Sequence, residues 1–260
     1  MAASRPPRFT QKVALVTGAT SGIGACIARS LAAEGARVIG TGRDQGRLMQ
    51  IAPALDLALT LDQTDPRSVE AAAQVVADRY GAVDLLVHNA GQGLFQDFEH
   101  TSLADVQRIM DVNLYGPIRL TQALLSAMKA RGEGVVCTIA SVAGERGYPK
   151  HTAYCASKHA LIGWSRALSK DLRGTGLAVV IVCPPAVDTP FFATAGFLDY
   201  KEKHEGLALM SPEAVAAGTL DAIAARKAQV ILSPRARVLY LLDKLAPPLV
   251  EGLQRWKDSR

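Results

Sequence analysis

The sequence predicts a single α/β domain, doubly wound, in which about seven parallel strands carry helices on both faces. Short runs rich in Val, Ile and Leu alternate with longer stretches of helical period along nearly the whole chain. The runs are apolar on both faces rather than alternating, so each strand meets protein on either side, as in a covered parallel sheet. Turn residues mark most changes of period, and no repeat or low-complexity segment interrupts the series.

The elements follow in order. Residues 12–17 (KVALVT) read as a buried strand and 22–34 as a helix closed by Gly35. Residues 37–41 give a second strand and 57–61 a third. Asp65 as N-cap and Pro66 at the first helical position open the next helix, which Gly81 ends. Residues 83–88 are a strand, 102–131 contain a long helix, and 134–140 are a strand. Residues 152–173 are helical and 177–183 form a strand; Ser211-Pro212-Glu213 opens a helix, and 230–232 make a last short strand.

Composition sets the limits. The 260 residues carry 29 basic and 24 acidic side chains, formally +5, with 49% hydrophobic and 20% charged residues. A chain of this length buries about 70% of its unfolded surface, enough for one large core without disulfides or metal. Ordinary Gly and Pro usage, 22 and 13 residues, excludes collagen-like or low-complexity classes. Residues 1–10 hold Arg5, Pro6, Pro7 and Arg8 without an apolar run; they are expected to be flexible and not a secretion signal. The longest apolar stretch, 177–187, is too short to span a bilayer, so a cytoplasmic location is expected. Cys26, Cys137, Cys155 and Cys183 lack C-x-x-C spacing and read as buried inert thiols. His88, His100, His151, His159 and His204 show no ligand spacing, so no metal is expected. The scattered positive charge argues against nucleic-acid binding.

The first strand runs into Thr17-Gly18-Ala19-Thr20-Ser21-Gly22-Ile23-Gly24 and then a helix. Gly18 allows a tight turn, Gly22 a close backbone approach to a pyrophosphate, and Gly24 close packing of helix on strand. The helix N-terminus offers unpaired N–H groups to phosphates. The G-x-x-x-G-x-G spacing differs from the common G-x-G-x-x-G fingerprint, but strand before and helix after favour a Rossmann-like dinucleotide loop over the other reading, a glycine turn that only connects two elements. At the end of the second strand, Thr41-Gly42-Arg43 puts Gly42 where an acid would hold a ribose 2′-hydroxyl, followed by a cation. A guanidinium suits a 2′-phosphate, which favours NADP(H) over NAD(H). Asp44 keeps the alternative open, since a one-residue shift would bring a carboxylate to the ribose. Arg43 also reads as an ordinary solvated residue.

Tyr154 and Lys158 lie four apart in a helical stretch and project from one face. A nearby cation favours phenolate, which lowers the tyrosine pKa and fits it for proton transfer. Such a pair alone is commonplace. Together with the glycine loop, His88-Asn89-Ala90-Gly91, Asn113 and Ser141, the chain resembles the short-chain dehydrogenase/reductase family over about residues 12–189.

The resemblance implies an oxidoreductase moving hydride between a nicotinamide cofactor and a carbonyl/alcohol pair, and it implies roles. Tyr154 would act as acid or base; Lys158 would lower its pKa and bind the nicotinamide ribose. Ser141 would polarise the carbonyl and Asn113 anchor a relay water. Gly18, Ser21, Gly22, Ile23 and Gly24 would hold the pyrophosphate, with Arg43 beside the adenosine ribose. Asp62 would meet the adenine amino group, and Asn89, Ala90 and Gly91 would line the adenosine half. Val187 and Thr189 would contact the nicotinamide amide. Two residues depart from the family pattern: His88, where many relatives have Asn, and Pro185, in place of the glycine of a Pro-Gly pair.

Residues 190–210 occupy the place of a substrate lid. Phe191, Phe192 and Phe197 fit either an apolar or aromatic ketone or a plain core role. The tail 233–260 reads as a helical extension with two apolar stretches among Arg235, Arg237, Lys244, Arg255 and Lys257. A homodimer or homotetramer interface is the preferred reading, and a peripheral membrane contact the other. An NAD(H)-dependent alcohol dehydrogenase and a non-catalytic dinucleotide-binding scaffold remain the alternatives. Epimerase or dehydratase chemistry ranks low, because only about 70 residues follow Thr189, too few for the larger substrate domain of such relatives.

Overall fold

The computed structural model describes residues 7–191 and 209–246. Its seven strands are β1 (Val13–Val16), β2 (Arg37–Gly42), β3 (Leu57–Thr60), β4 (Leu85–His88), β5 (Gly134–Ile139), β6 (Leu177–Cys183) and β7 (Gln229–Ile231). They form one sheet in the order β3-β2-β1-β4-β5-β6-β7, with every pairing parallel. β1 pairs with both β2 and β4, so the chain winds outward in opposite directions from it. The crevice beyond the carboxyl ends of β1 and β4 is therefore the topological switch point, where sheets of this kind bind ligands.

The helices are α1 (Gly22–Ala33), α2 (Gln45–Ile51), α3 (Pro66–Tyr80), α4 (Leu103–Met110), α5 (Gly116–Arg131), α6 (Thr152–Asp171), α7 (Pro212–Ala224) and α8 (Pro234–Leu245). On one face of the sheet, Ile27 and Leu31 of α1 and Leu220 and Ile223 of α7 bury against Val16, Val87, Cys137 and Val180. On the other, Val69 and Val76 of α3 and Leu120 and Leu124 of α5 meet Leu15, Ile39, Leu86, Val136 and Val179. Successive strand residues thus feed opposite cores, which is why the strands lack polar alternation. Helix α6 extends the second face with Leu161 and Ile162 against Ile181 and Cys183.

Three details differ from the sequence reading. Helix α2, capped by Asp44, which accepts from the Arg47 N–H at 3.0 Å, stands where no helix was expected. The single long helix within 102–131 is two helices joined by a π-turn at Asp111–Tyr115. Residues 7–10, part of the terminus expected to be flexible, are docked. Phe9 lies in the core, and Arg8 pairs with Glu34 and with Asp221, the latter at 2.6 Å. Most of the segment expected to be a lid (192–208) and the end of the tail (247–260) lie outside the described residues, as do residues 1–6. Within the tail, α8 packs Ala236 and Tyr240 inward and exposes Val238, Leu241 and Leu245. All four cysteines are buried free thiols. Among the described residues no helix is long and apolar enough to cross a membrane.

Asp84, buried at the entry to β4, fastens three strands. Its carboxylate accepts from the Val13 N–H at 2.7 Å and from Arg131 Nη1 at 2.8 Å, while its carbonyl accepts from the Val135 N–H. Asp84→Ala leaves a buried N–H without its partner and frees an arginine. Urea unfolding is expected to show a loss of about 3 kcal/mol.

Candidate active site

The carboxyl ends of the central strands open into a cleft of about 1580 Å³. Gly18, Ser21, Gly22, Ile23, Arg43, Asp62, Asn89, Ala90, Gly91, Ser141, Tyr154, Lys158, Val187 and Thr189 all line it. Gly24 and Asn113 stand behind its wall.

The loop after β1 is shaped by what surrounds it. Gly18 has φ +64°, and a Cβ there would lie 2.8 Å from the Ala90 Cα. A Cβ on Gly24 would lie 2.2 Å from the Gly18 carbonyl oxygen, so that glycine serves contact between helix and loop more than between helix and strand. The Asn89 side chain donates to the carbonyls of Thr17 and Gly18 at 2.9 and 3.1 Å. Thr17 Oγ1 accepts from the N–H groups of Asn89 and Ala90, both at 3.0 Å. Thr17, standing inside the glycine motif, thus joins the loop to the end of β4. At the start of α1, Ser21 makes no capping hydrogen bond and no acid occupies the first turn, so the helix keeps its unpaired N–H groups for an anion.

At the adenosine end, a Cβ on Gly42 would lie 2.4 Å from Thr20 Cγ2, so a side chain at that position would require Thr20 to move. Asp44 is spent on capping α2 and lies 3.5 Å from Arg47 Nε; it does not line the cleft. Arg47, which the sequence reading did not single out, does line it, beside Arg43. Its place four residues after Arg43 was the one available signal. Asp62 accepts from the N–H and hydroxyl of Thr64. Burial alone would raise its pKa, but those bonds and the Arg43 charge outweigh burial and hold it below the usual range.

The other end of the cleft holds the polar constellation. Ser141 follows β5 and accepts from the Ala143 N–H at 3.1 Å. Tyr154 and Lys158 stand one turn apart on α6, with Lys158 Nζ 5.7 Å from the Tyr154 ring centre. Nζ donates to the Ile139 carbonyl at 3.0 Å. Asn113 has its side-chain oxygen on the Gln92 N–H at 2.8 Å and its amide nitrogen on the Gln92 carbonyl and Ser157 Oγ, both at 2.9 Å. It anchors Gln92 and α6 rather than facing the cleft. Thr189 approaches the glycine loop, and Val187 forms a β-bridge with Met210.

Electrostatics differ from the expectation that the cation lowers the tyrosine pKa. Burial pushes Tyr154 up to about 12, with a hydrogen bond to Ser141 pulling the other way. Burial also pulls Lys158 down to about 8. In a dry site desolvation of both groups outweighs their mutual effect. His88 is buried and neutral, its pKa lowered to about 3 by burial, with Nε2 2.8 Å from Thr121 Oγ1. His151, absent from the expected site, stacks edge-on against Phe95 with ring centres 4.3 Å apart and lies 6.3 Å from the Tyr154 ring. Its position three residues before Tyr154 was the available signal.

Comparison with known proteins agrees with this geometry. The short chain dehydrogenase family model matches residues 12–196. The chain belongs to the short-chain dehydrogenase family. Its members are oxidoreductases working between carbonyl and alcohol with a nicotinamide nucleotide. The chain is 33% identical to a ketoacyl reductase, HetN, of Nostoc sp. over 95% of its own length and 90% of the relative's. A Burkholderia phymatum short-chain dehydrogenase/reductase in complex with NAD superposes with a TM-score of 0.85 at 25% identity, covering 93% of this chain and 96% of that one. An actinorhodin polyketide ketoreductase with NADPH gives 0.77 at 32% identity, covering 85% and 95%.

The buried ammonium carries a stability cost with a definite sign. Its folded pKa of about 8 lies below the unfolded 10.5, so the folded state binds its proton less tightly, and the cost is fully present below pH 8. Lys158→Met is expected to stabilise the ligand-free protein by about 2 kcal/mol at pH 7. That gain should shrink between pH 8 and 10.5 in denaturant titrations.

Proposed function

We propose that the protein reduces an apolar ketone with NADPH, Tyr154 supplying the proton and Ser141 steadying the carbonyl oxygen. The observation that carries the reading is the hydrogen-bonded Ser141–Tyr154 pair beside the buried Lys158 ammonium, in a cleft that continues into the uncapped end of α1.

The residues fit a dinucleotide. The uncapped N–H groups of α1 and the glycine loop suit its pyrophosphate, and Asn89 braces that loop. Arg43 and Arg47, with Gly42 in place of an acid, support a 2′-phosphate over a free hydroxyl. Lys158, Val187 and Thr189 line the nicotinamide end. The cofactor supplies a hydride when bound; the chain's own groups orient the carbonyl and manage its proton. With a ketone bound, the Ser141 and Tyr154 hydroxyls would both donate to its carbonyl oxygen, stabilising negative charge as it develops. Tyr154 then gives up its phenolic proton, and the Lys158 ammonium stabilises the phenolate left behind.

The walls of the substrate end support an apolar carbonyl. Leu94, Phe95, Tyr148, His151 and Phe191 line it, with the Phe191 ring centre 5.8 Å from that of Tyr154. The exposed stripe of Val238, Leu241 and Leu245 on α8 supports assembly of chains into a homodimer or homotetramer.

Tyr154→Phe should reduce ketone turnover by at least about a thousandfold while NADPH fluorescence titration shows binding within about twofold. Substantial remaining turnover would remove Tyr154 from the role of acid. Arg43→Asp is expected to reverse the preference toward NADH, with the ratio of kcat/KM values for the two cofactors changing by at least about tenfold. An unchanged ratio assigns selectivity elsewhere.

A further inference from the structure

We infer that Gln63 is a positioning residue for the proposed reduction: its side-chain amide holds the π-turn that carries Asn113, and Gly116 is glycine to make room for it. The inference rests on the reductase reading above, but its structural half can be tested apart from it.

The π-turn at Asp111–Tyr115 has an alternative. Here the Gly116 N–H donates five residues back, to the Asp111 carbonyl. In that register the Val112 carbonyl faces residue 117, which is Pro117 and has no N–H. In an ordinary α-register the same Gly116 N–H would instead reach Val112, four residues back. Val112 is buried, so its carbonyl needs a partner in either arrangement. Gln63 Nε2 supplies one at 2.7 Å. Pro117 opposes the α-register, because its ring would meet the Asn113 carbonyl four residues back, and Gln63 stabilises the π-register by giving the Val112 carbonyl the donor that Pro117 lacks.

Gly116 completes the device. A Cβ there would lie 2.6 Å from Gln63 Cγ and 2.9 Å from its Cδ, so alanine at 116 and the present Gln63 side chain exclude each other. The residue after Val112 is Asn113, which grips both backbone groups of Gln92 and the Ser157 hydroxyl. Ser157 Oγ donates in turn to the Tyr154 carbonyl at 2.8 Å. A one-residue change of register turns Asn113 by about 100° around the helix axis and breaks these bonds. Gln63, which also lines the cleft beside Asp62, thus reaches Tyr154 through the turn.

The test uses the full chain with Gln63→Leu, Gln63→Glu, Gly116→Ala, Gln63→Ala and the last two combined. Ethyl acetoacetate reduction is followed by NADPH absorbance, NADPH binding by fluorescence, and backbone exchange of residues 111–118 by hydrogen–deuterium mass spectrometry. Gln63→Leu should lower kcat by about tenfold with NADPH affinity within about twofold, and speed exchange across 111–118 but not in the sheet. Gln63→Glu should work at acidic pH, where the introduced carboxyl keeps a proton to donate to Val112, and lose activity as pH rises. Gln63→Leu should show no such added ionisation. Gly116→Ala should slow turnover when Gln63 is present and add less than about twofold in the Gln63→Ala background.

Unchanged kcat and exchange in Gln63→Leu, a loss confined to NADPH affinity, no added ionisation in Gln63→Glu, or additive effects of the Gly116 and Gln63 changes would each overturn the inference. If the wild-type protein reduces no ketone in a wider carbonyl panel, the reductase reading fails. The exchange pattern across 111–118 in the single and double variants then still decides whether Gln63 holds the turn.

Discussion

The hydrogen bond from the Lys158 ammonium to the Ile139 carbonyl is the constraint around which the site is arranged. It joins α6 to the carboxyl end of β5 inside protein that is nearly dry. A buried ammonium needs hydrogen-bond acceptors, and β5 offers one where its pairing with the rest of the sheet ends. Once Lys158 is held there, the helix repeat puts Tyr154 one turn earlier on the same face, and the turn after β5 brings Ser141 to the phenol. The parallel sheet makes this possible because it collects the strand ends, and the loops that follow them, on one side.

The cleft divides its chemistry by distance from that ammonium. Near β1 and β2 the groups suited to anions are backbone N–H groups and two exposed arginines, arranged by glycines whose neighbours leave no room for a Cβ. Toward α6 the walls turn aromatic, with Phe95, Tyr148, His151 and Phe191 around the phenol. Groups suited to anions thus stand where a cofactor's phosphates would belong, while the other end is walled largely by aromatic and apolar side chains, with Arg108 and Arg235 also lining the cleft. Solvated phosphates need little burial, whereas proton transfer benefits from exclusion of water.

How much of this could be read in the sequence follows from the range of each interaction. The strands, the glycine loop and the Tyr154/Lys158 spacing were legible because period, turn chemistry and helix geometry are local. All of the expected cleft residues converge on one crevice except Gly24 and Asn113, which support it from behind. The break at 111–115 was not legible: Gly116-Pro117 hints at it, but Gln63, which donates to the Val112 carbonyl inside it, lies about fifty residues away in the turn between β3 and α3. Arg47 was missed because α2 is short and its cap, Asp44, reads equally well as a ribose-binding acid. The direction of the Tyr154 pKa shift was misjudged for the same physical reason. Spacing gives proximity to a cation, but only packing shows how much water both groups have lost.

That direction bears on how the proposed reduction is supplied with its proton. A phenol held near pKa 12 stays protonated at neutral pH, so the ligand-free site is loaded with the proton that a ketone needs. An alkoxide forming on the substrate is the stronger base, and transfer from the phenol to it runs downhill even with the pKa raised. Alcohol oxidation would need the phenolate first, which burial disfavours in the ligand-free site. Lys158, near pKa 8, still carries its charge at neutral pH, so it would stabilise the phenolate that proton transfer leaves behind. Burial, which opposes both charged forms, thus keeps the acid loaded before a ketone binds, while the balance between ketone and alcohol is set by substrate and cofactor and not by this pKa.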